Sequence, residues 1–167
     1  VAGSAATASN ITFVPVASSS GRTLGRRGFV MKVNINRTTG EPDFINRETI
    51  SLPAGFATPN HVLFGPGGTD MYIACYSVAN NPANRSVSAG GVLHYKLSQA
   101  GGSVTGSLPA VPTGQFVMPR GTHSLALSQG SRRLYATCQI DGSVRCLSVN
   151  PNTGALALQP SGDILGL

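Results

Sequence analysis

The chain has 167 residues, of which 41% are hydrophobic and only 11% charged, with a mean hydropathy of +0.08. These values exclude the disordered class, and no apolar run reaches the roughly 18 residues that span a bilayer, so a helical membrane protein is excluded too. The net charge of +6 rests on ten arginines and two lysines, while 21 Gly and 11 Pro mark frequent turns and favour many short strands over helices.

A chain of this length buries roughly 70% of its unfolded surface, enough for a single domain over residues 1–167. It opens at Val1 with no basic stretch leading into an apolar one, so no signal peptide is read. Arg22, Arg26, Arg27, Lys32 and Arg37 all precede the first acidic residue, Glu41. Two readings of this cluster stay open: an anion site, since the guanidinium fork matches carboxylate or phosphate, and a solvated loop over Ser18 to Arg27. Nucleic acid is not expected as a partner, because no aromatic residues interleave with these charges.

A strand with alternating character follows at Gly28 to Ile35 and closes in Asn36-Arg37-Thr38-Thr39-Gly40. The next unit starts with Val62 to Phe64, turns at Pro66-Gly67-Gly68, returns through Met71 to Tyr76 and continues in Val92 to Leu97. The last unit repeats this plan with Leu125 to Leu127, Gln129-Gly130-Ser131, Leu134 to Gln139 and Val144 to Val149, then Asn150-Pro151-Asn152-Thr153-Gly154. The repetition is literal. Residues 62–75, VLFGPGGTDMYIAC, lie over 125–138, LALSQGSRRLYATC, without a gap, and residues 28–40 lie over 142–154 in the same way. A fixed period of short strands is the signature of stacked blades, because one such unit cannot bury both faces alone. The sequence predicts an all-β chain of β-propeller blades of antiparallel strands, with blade one over about 11–52, blade two over about 58–111 and blade three over about 121–160.

The stretch Gly28 to Ile35 with Thr39-Gly40, then Thr58-Pro59-Asn60-His61-Val62-Leu63-Phe64-Gly65-Pro66-Gly67-Gly68 and Met71-Tyr72-Ile73-Ala74, resembles the opening blades of the lactonase-type β-propeller family. That family includes bacterial 6-phosphogluconolactonases and fungal carboxymuconate lactonizing enzymes. The resemblance runs from roughly Ile11 to Leu158, although the Asp usual in the first turn is absent from both copies. It implies a cofactor-independent enzyme acting on a small anionic lactone. It also implies a site of His, Arg and Glu side chains around the channel, in which Arg holds the substrate and an acid/base group moves the proton. Carried over residue by residue, His123 and Arg120 match best and His61 less well; no acidic residue matches convincingly, with Glu48 the nearest guess.

Propellers close with four to eight blades, and this chain encodes about three. Either it is a fragment, or two or more copies complete one ring, or the array stays open; the partners expected are therefore missing blades or further copies of the chain. The second function class is a non-catalytic propeller module for binding or assembly. No cofactor or metal is expected, since no Cys-x-x-Cys or phosphate loop occurs. A membrane partner is not expected either.

The remaining signals are weaker. Sequons at Asn10, Asn36 and Asn84 fall in predicted loops and lean toward an extracellular protein; the cysteines lean toward a reducing compartment. If Asp141-Gly142 forms a two-residue hairpin turn, Cys138 opposes Arg145 and Cys146 opposes Thr137, which places the two sulfurs on opposite faces. Three thiols are expected. The two candidate histidines do not occupy equivalent positions, since His61 aligns with Ser124 and His123 with Asn60. A strand-entry His also serves simply to bond a neighbouring backbone group. His94 alternates with Val92 and Lys96, so it is expected to face water or a neighbouring blade and carries no assigned role.

Overall fold

The computed structural model describes residues 6–8, 11–16, 29–36, 38–78, 89–100, 103–104 and 109–164. The loop at Ser18 to Arg27, with Arg22, Arg26 and Arg27, lies outside them, as do Arg37 and the sequon asparagines Asn10 and Asn84. The described residues are almost wholly extended and form three antiparallel four-stranded sheets in succession. Sheet one comprises β1 (Ala6–Ala8), β2 (Ile11–Val16), β3 (Phe29–Ile35) and β4 (Pro42–Ser51) in chain order. Sheet two comprises β5 (Phe56–Phe64), β6 (Asp70–Val78), β7 (Ala89–Lys96) and, after the small hairpin of β8 (Gln99–Ala100) and β9 (Ser103–Val104), its outer strand β10 (Gly114–Met118). Sheet three comprises β11 (Thr122–Leu127), β12 (Arg133–Cys138), β13 (Ser143–Val149) and β14 (Leu156–Ile164). Each is an up-and-down meander, so the chain is a partial, propeller-like array of antiparallel sheets. No helix among the described residues is long and apolar enough to cross a membrane.

The repeat seen in the sequence is a repeat of backbone register. Val62, Leu63 and Phe64 of β5 pair with Ile73, Tyr72 and Met71 of β6; Leu125, Ala126 and Leu127 of β11 pair with Ala136, Tyr135 and Leu134 of β12. Both pairings slip by one at the same aligned position, skipping Asn60 in β5 and His123 in β11. A residue that opposes nothing in its partner strand is a β-bulge, which re-aims the side chains beside it. The turns agree too. Gly65 N donates to Asp70 O at 2.8 Å and Ser128 N to Arg133 O at 2.9 Å.

The second repeated segment forms matching loops between β3 and β4 and between β13 and β14. Asn36 Oδ1 accepts from Thr38 N at 2.8 Å and Thr39 N at 3.2 Å, and Asn150 Oδ1 accepts from Asn152 N at 2.9 Å and Thr153 N at 3.2 Å. Asn is required because its short amide mimics a backbone turn. Gly40 and Gly154 close these loops with φ of 75° and 71°, a region where a side chain collides with the backbone. The Asn36 amide is therefore part of a turn.

Two cores hold the sheets together. Val30 and Ile50 of sheet one pack with Val62, Met71, Ile73, Leu93 and Tyr95 of sheet two. The opposite face of sheet two packs Tyr72, Ala74, Val92 and Met118 against Leu125, Leu134, Ala136 and Leu147 of sheet three. Sheet two is covered on both faces, and β7 is accordingly buried from Ala89 to Tyr95. Each large apolar side chain buried this way contributes about 2 kcal/mol.

The β12–β13 hairpin departs from the expected register. Cys138 opposes Ser143 and Cys146 opposes Tyr135, so Gln139 to Gly142 form a four-residue loop in place of the two-residue turn. The reason is visible in the loop: the Asp141 carboxylate turns back to bind Arg120. A slip of two residues preserves the alternation of faces, so Cys138 and Cys146 still project to opposite sides. Cys75, Cys138 and Cys146 are all unbridged and buried. Burial pushes the Cys75 thiol up, and Cys138 in the same direction.

Candidate functional site

The innermost strand of each sheet has only one strand neighbour, so its other edge carries backbone groups that must find other partners. At β11 one of these is supplied by a side chain. Leu125 N donates to His61 Nδ1 at 2.8 Å, which ties the middle of β5 to the middle of β11 across the two sheets. Because Nδ1 accepts, the ring proton of neutral His61 sits on Nε2. Burial lowers the His61 pKa, and the proximity of His123 lowers it further. Protonating Nδ1 would set two N–H groups against one another. His61 is thus held as a neutral imidazole with a donor Nε2–H.

His123 is brought to the same end of the sheets by the bulge in β11. Its ring is exposed and its Nδ1 lies 3.0 Å from Ser124 Oγ. It borders a hollow of about 360 Å³ that is lined by Thr137, Cys138, Gln139, Gly142, Ser143 and Val144, all from sheet three. The two histidines are near enough for the charge on one to oppose the charge on the other.

Arg120 sits on the turn between β10 and β11, half-exposed, and its fork is partly engaged. Asp141 Oδ1 accepts from Arg120 Nε at 3.1 Å and Oδ2 accepts from Arg120 N at 2.7 Å, so one carboxylate clamps both the side chain and the backbone of the turn. Asp141 is the acidic residue that sequence reasoning missed, because its Asp-Gly setting reads as turn chemistry. Glu48 is elsewhere: it lies on β4, the outermost strand of sheet one, and pairs with Lys32 Nζ at 2.7 Å. The arrangement offers a neutral donor, an exposed imidazole and a clamped guanidinium on and beside two adjacent inner strands. Among the described residues no group of three or more His, Cys, Asp or Glu is positioned to hold a metal ion.

The opposite end of the same interface carries a buried polar network. Asp70, at the start of β6, accepts from Lys96 Nζ at 2.9 and 3.0 Å and lies 2.9 Å from His94 Nε2. His94 is 1% exposed, and its ring stacks on Tyr72, the residue directly opposite it, with centroids 5.1 Å apart. Tyr72 in turn donates its hydroxyl to Gly154 O at 2.8 Å, reaching the β13–β14 loop of sheet three. Of the two alternatives read for His94, it is the neighbouring sheet that covers it.

No protein-family model matches the chain, and no curated protein matches it at a significant level. Among solved structures it is similar to a functionally unknown protein from Desulfotomaculum acetoxidans, with a TM-score of 0.59 and 14% identity over 95% of this chain. The chain spans 41% of that protein. A "putative 6-phosphogluconolactonase" from Bacteroides uniformis gives a TM-score of 0.42 at 11% identity, with 98% of this chain and 55% of that one covered. A second protein so described, from Bacteroides fragilis, gives 0.42 at 13% identity, with 98% and 54% covered. At these identities the likeness to the first neighbour concerns the fold alone.

Proposed function

We propose that this chain is a lactonase-like propeller protein that acts on a small anionic lactone at the inner-strand site bearing His61, His123 and Arg120. The observation that supports this best is the proximity of His61 and His123 on adjacent inner strands, one held neutral and the other exposed beside a hollow. The substrate class comes from the sequence resemblance. In the proposed reaction His123 takes a proton from water as the hydroxyl adds to the lactone carbonyl, and the His61 Nε2–H steadies the developing oxyanion. The ring C–O bond then breaks, the proton passes from His123 to the leaving oxygen, and a hydroxy acid results. Arg120 holds the anionic group of the substrate with the part of its fork that Asp141 leaves over.

The test is hydrolysis of gluconolactone-type and muconolactone-type substrates by the native protein and two variants. Arg120→Lys keeps the charge and loses the fork, so KM rises strongly with kcat little changed. His123→Ala lowers kcat by roughly 10²–10⁴-fold. Equal rates in all three proteins would remove both residues from the reaction. The alternative, a non-catalytic module, is favoured by one observation, the engagement of Arg120 with Asp141, and predicts no turnover in any of them.

A further inference from the structure

The contact between sheets two and three is built from two halves. Sheet two supplies Tyr72, whose hydroxyl donates to Gly154 O, and Asp70, whose carboxylate fills the space a Cβ on Gly154 would need. Sheet three supplies the Asn150-to-Gly154 loop. The alignment of 62–75 with 125–138 carries Asp70 and Tyr72 onto Arg133 and Tyr135 of sheet three, in the same strand and register. The alignment of 28–40 with 142–154 carries Gly154 onto Gly40 of sheet one, in a loop with the same Asn-centred hydrogen bonds. Sheet three therefore presents the donor half on its outer face, and sheet one presents the acceptor half on its own outer face. Where Gly154 is covered by Asp70, Gly40 meets nothing within 4 Å among the described residues.

The charges at the two unmatched halves are complementary. Arg133 stands at the position of Asp70, and Glu41 stands at the position of Ala155, next to the loop glycine; both are exposed. On either face, like charges would have opposed such a contact. We infer that the outer face of sheet three docks the outer face of sheet one of a second copy of this chain, with Tyr135 donating to the Gly40 carbonyl and Arg133 facing Glu41. Two copies joined in this way at both ends place six sheets in one ring, within the four to eight at which propellers close, and the two contacts are identical by symmetry. The hollow beside His123, lined by sheet three alone, gains its missing wall from the second copy. The inference rests on the repeat and not on any lactone chemistry.

Light scattering of the dilute chain tests this, since a closed pair has twice the 17.1 kDa of one copy and does not grow with concentration. Arg133→Glu sets two acids opposite each other at both contacts. At about tenfold per contact, the dissociation constant of the pair rises about a hundredfold. Adding Glu41→Arg to Arg133→Glu restores the pair, and Tyr135→Phe weakens it with an unchanged far-ultraviolet spectrum. A 17.1 kDa species at every concentration overturns the proposal, as does a pair indifferent to Arg133→Glu or not restored by the second change. Growth beyond two copies overturns ring closure. Assembly only with polypeptide continuing past residue 167 would assign the face to further sheets of one chain, and overturn it as well.

Discussion

The two ends of the interface between sheets two and three are made by the same pair of sheets and behave differently. At one end Asp70, His94, Lys96 and Tyr72 are locked to each other and to Gly154, and the ring of His94 is shielded from water. At the other, His61 has one nitrogen committed to Leu125, and His123 is exposed at a bulge. Both ends hold a histidine near charged residues. Only the second leaves ring nitrogens where a small molecule could reach them, so the composition of a polar cluster says less about chemistry than its satisfaction and access.

The largest test of this difference compares two glycines in matching loops. Gly154→Ala forces a Cβ into the Asp70 carboxylate as well as into an unfavourable φ, so it costs about 3 kcal/mol or more of unfolding free energy. Gly40→Ala carries nearly the same φ with no close neighbour among the described residues and costs about 1–2 kcal/mol. Denaturant unfolding of both variants gives the difference directly. Equal losses would show that the Asp70 contact contributes nothing to locking the sheets.

Two tyrosines of sheet two sharpen the same point. Tyr72→Phe removes a hydroxyl that bridges to the next sheet and costs about 1–2 kcal/mol. Tyr95 packs on the other face, and its buried hydroxyl has no hydrogen-bond partner among the described residues. Tyr95→Phe is therefore neutral or stabilising, because an unsatisfied buried hydroxyl is removed. A loss with Tyr95→Phe equal to that with Tyr72→Phe, measured by thermal or urea unfolding, would sink the distinction.

The smallest effect belongs to His61. Its folded-state pKa lies below the ordinary 6.5, with burial the first cause and His123 the second. The unfolded chain then binds the proton more readily, so the contribution of His61 to stability is complete above pH 6.5 and is lost as pH falls through the lowered folded value. For a half-buried ring screened by water the change is under about 1 kcal/mol. His61→Gln keeps an acceptor for Leu125 N with nothing to titrate, and it should flatten the stability profile between pH 7 and 5. An unchanged profile would mean that another group carries it.

Much of the fold was legible in the sequence because its determinants are local. Short alternating runs bounded by Gly, Pro and Asn fix strands and turns, and two gapless self-alignments fix which strands are equivalent; the bulge shared by Asn60 and His123 came from the strand pairing. The candidate site was only partly legible. The sequence put His61 and His123 at the start of their strands, which holds for His123, while β5 begins at Phe56 and leaves His61 well inside it. Asp141 could not be picked out, since its partner is 21 residues away and reaches it only when the β10–β11 and β12–β13 connections meet.

The register of the β12–β13 hairpin was decided the same way. Asp-Gly favours a two-residue turn locally, and the clamp on Arg120 keeps the loop two residues longer. His94 shows the limit most plainly: its alternation told which side of β7 it occupies, and only the packing of sheet three onto that side made the position buried. Periodicity fixes a residue's direction relative to its own strand. What stands in that direction, and so whether a polar group is solvated, paired or available, depends on contacts between segments far apart in sequence, which the tertiary structure alone supplies.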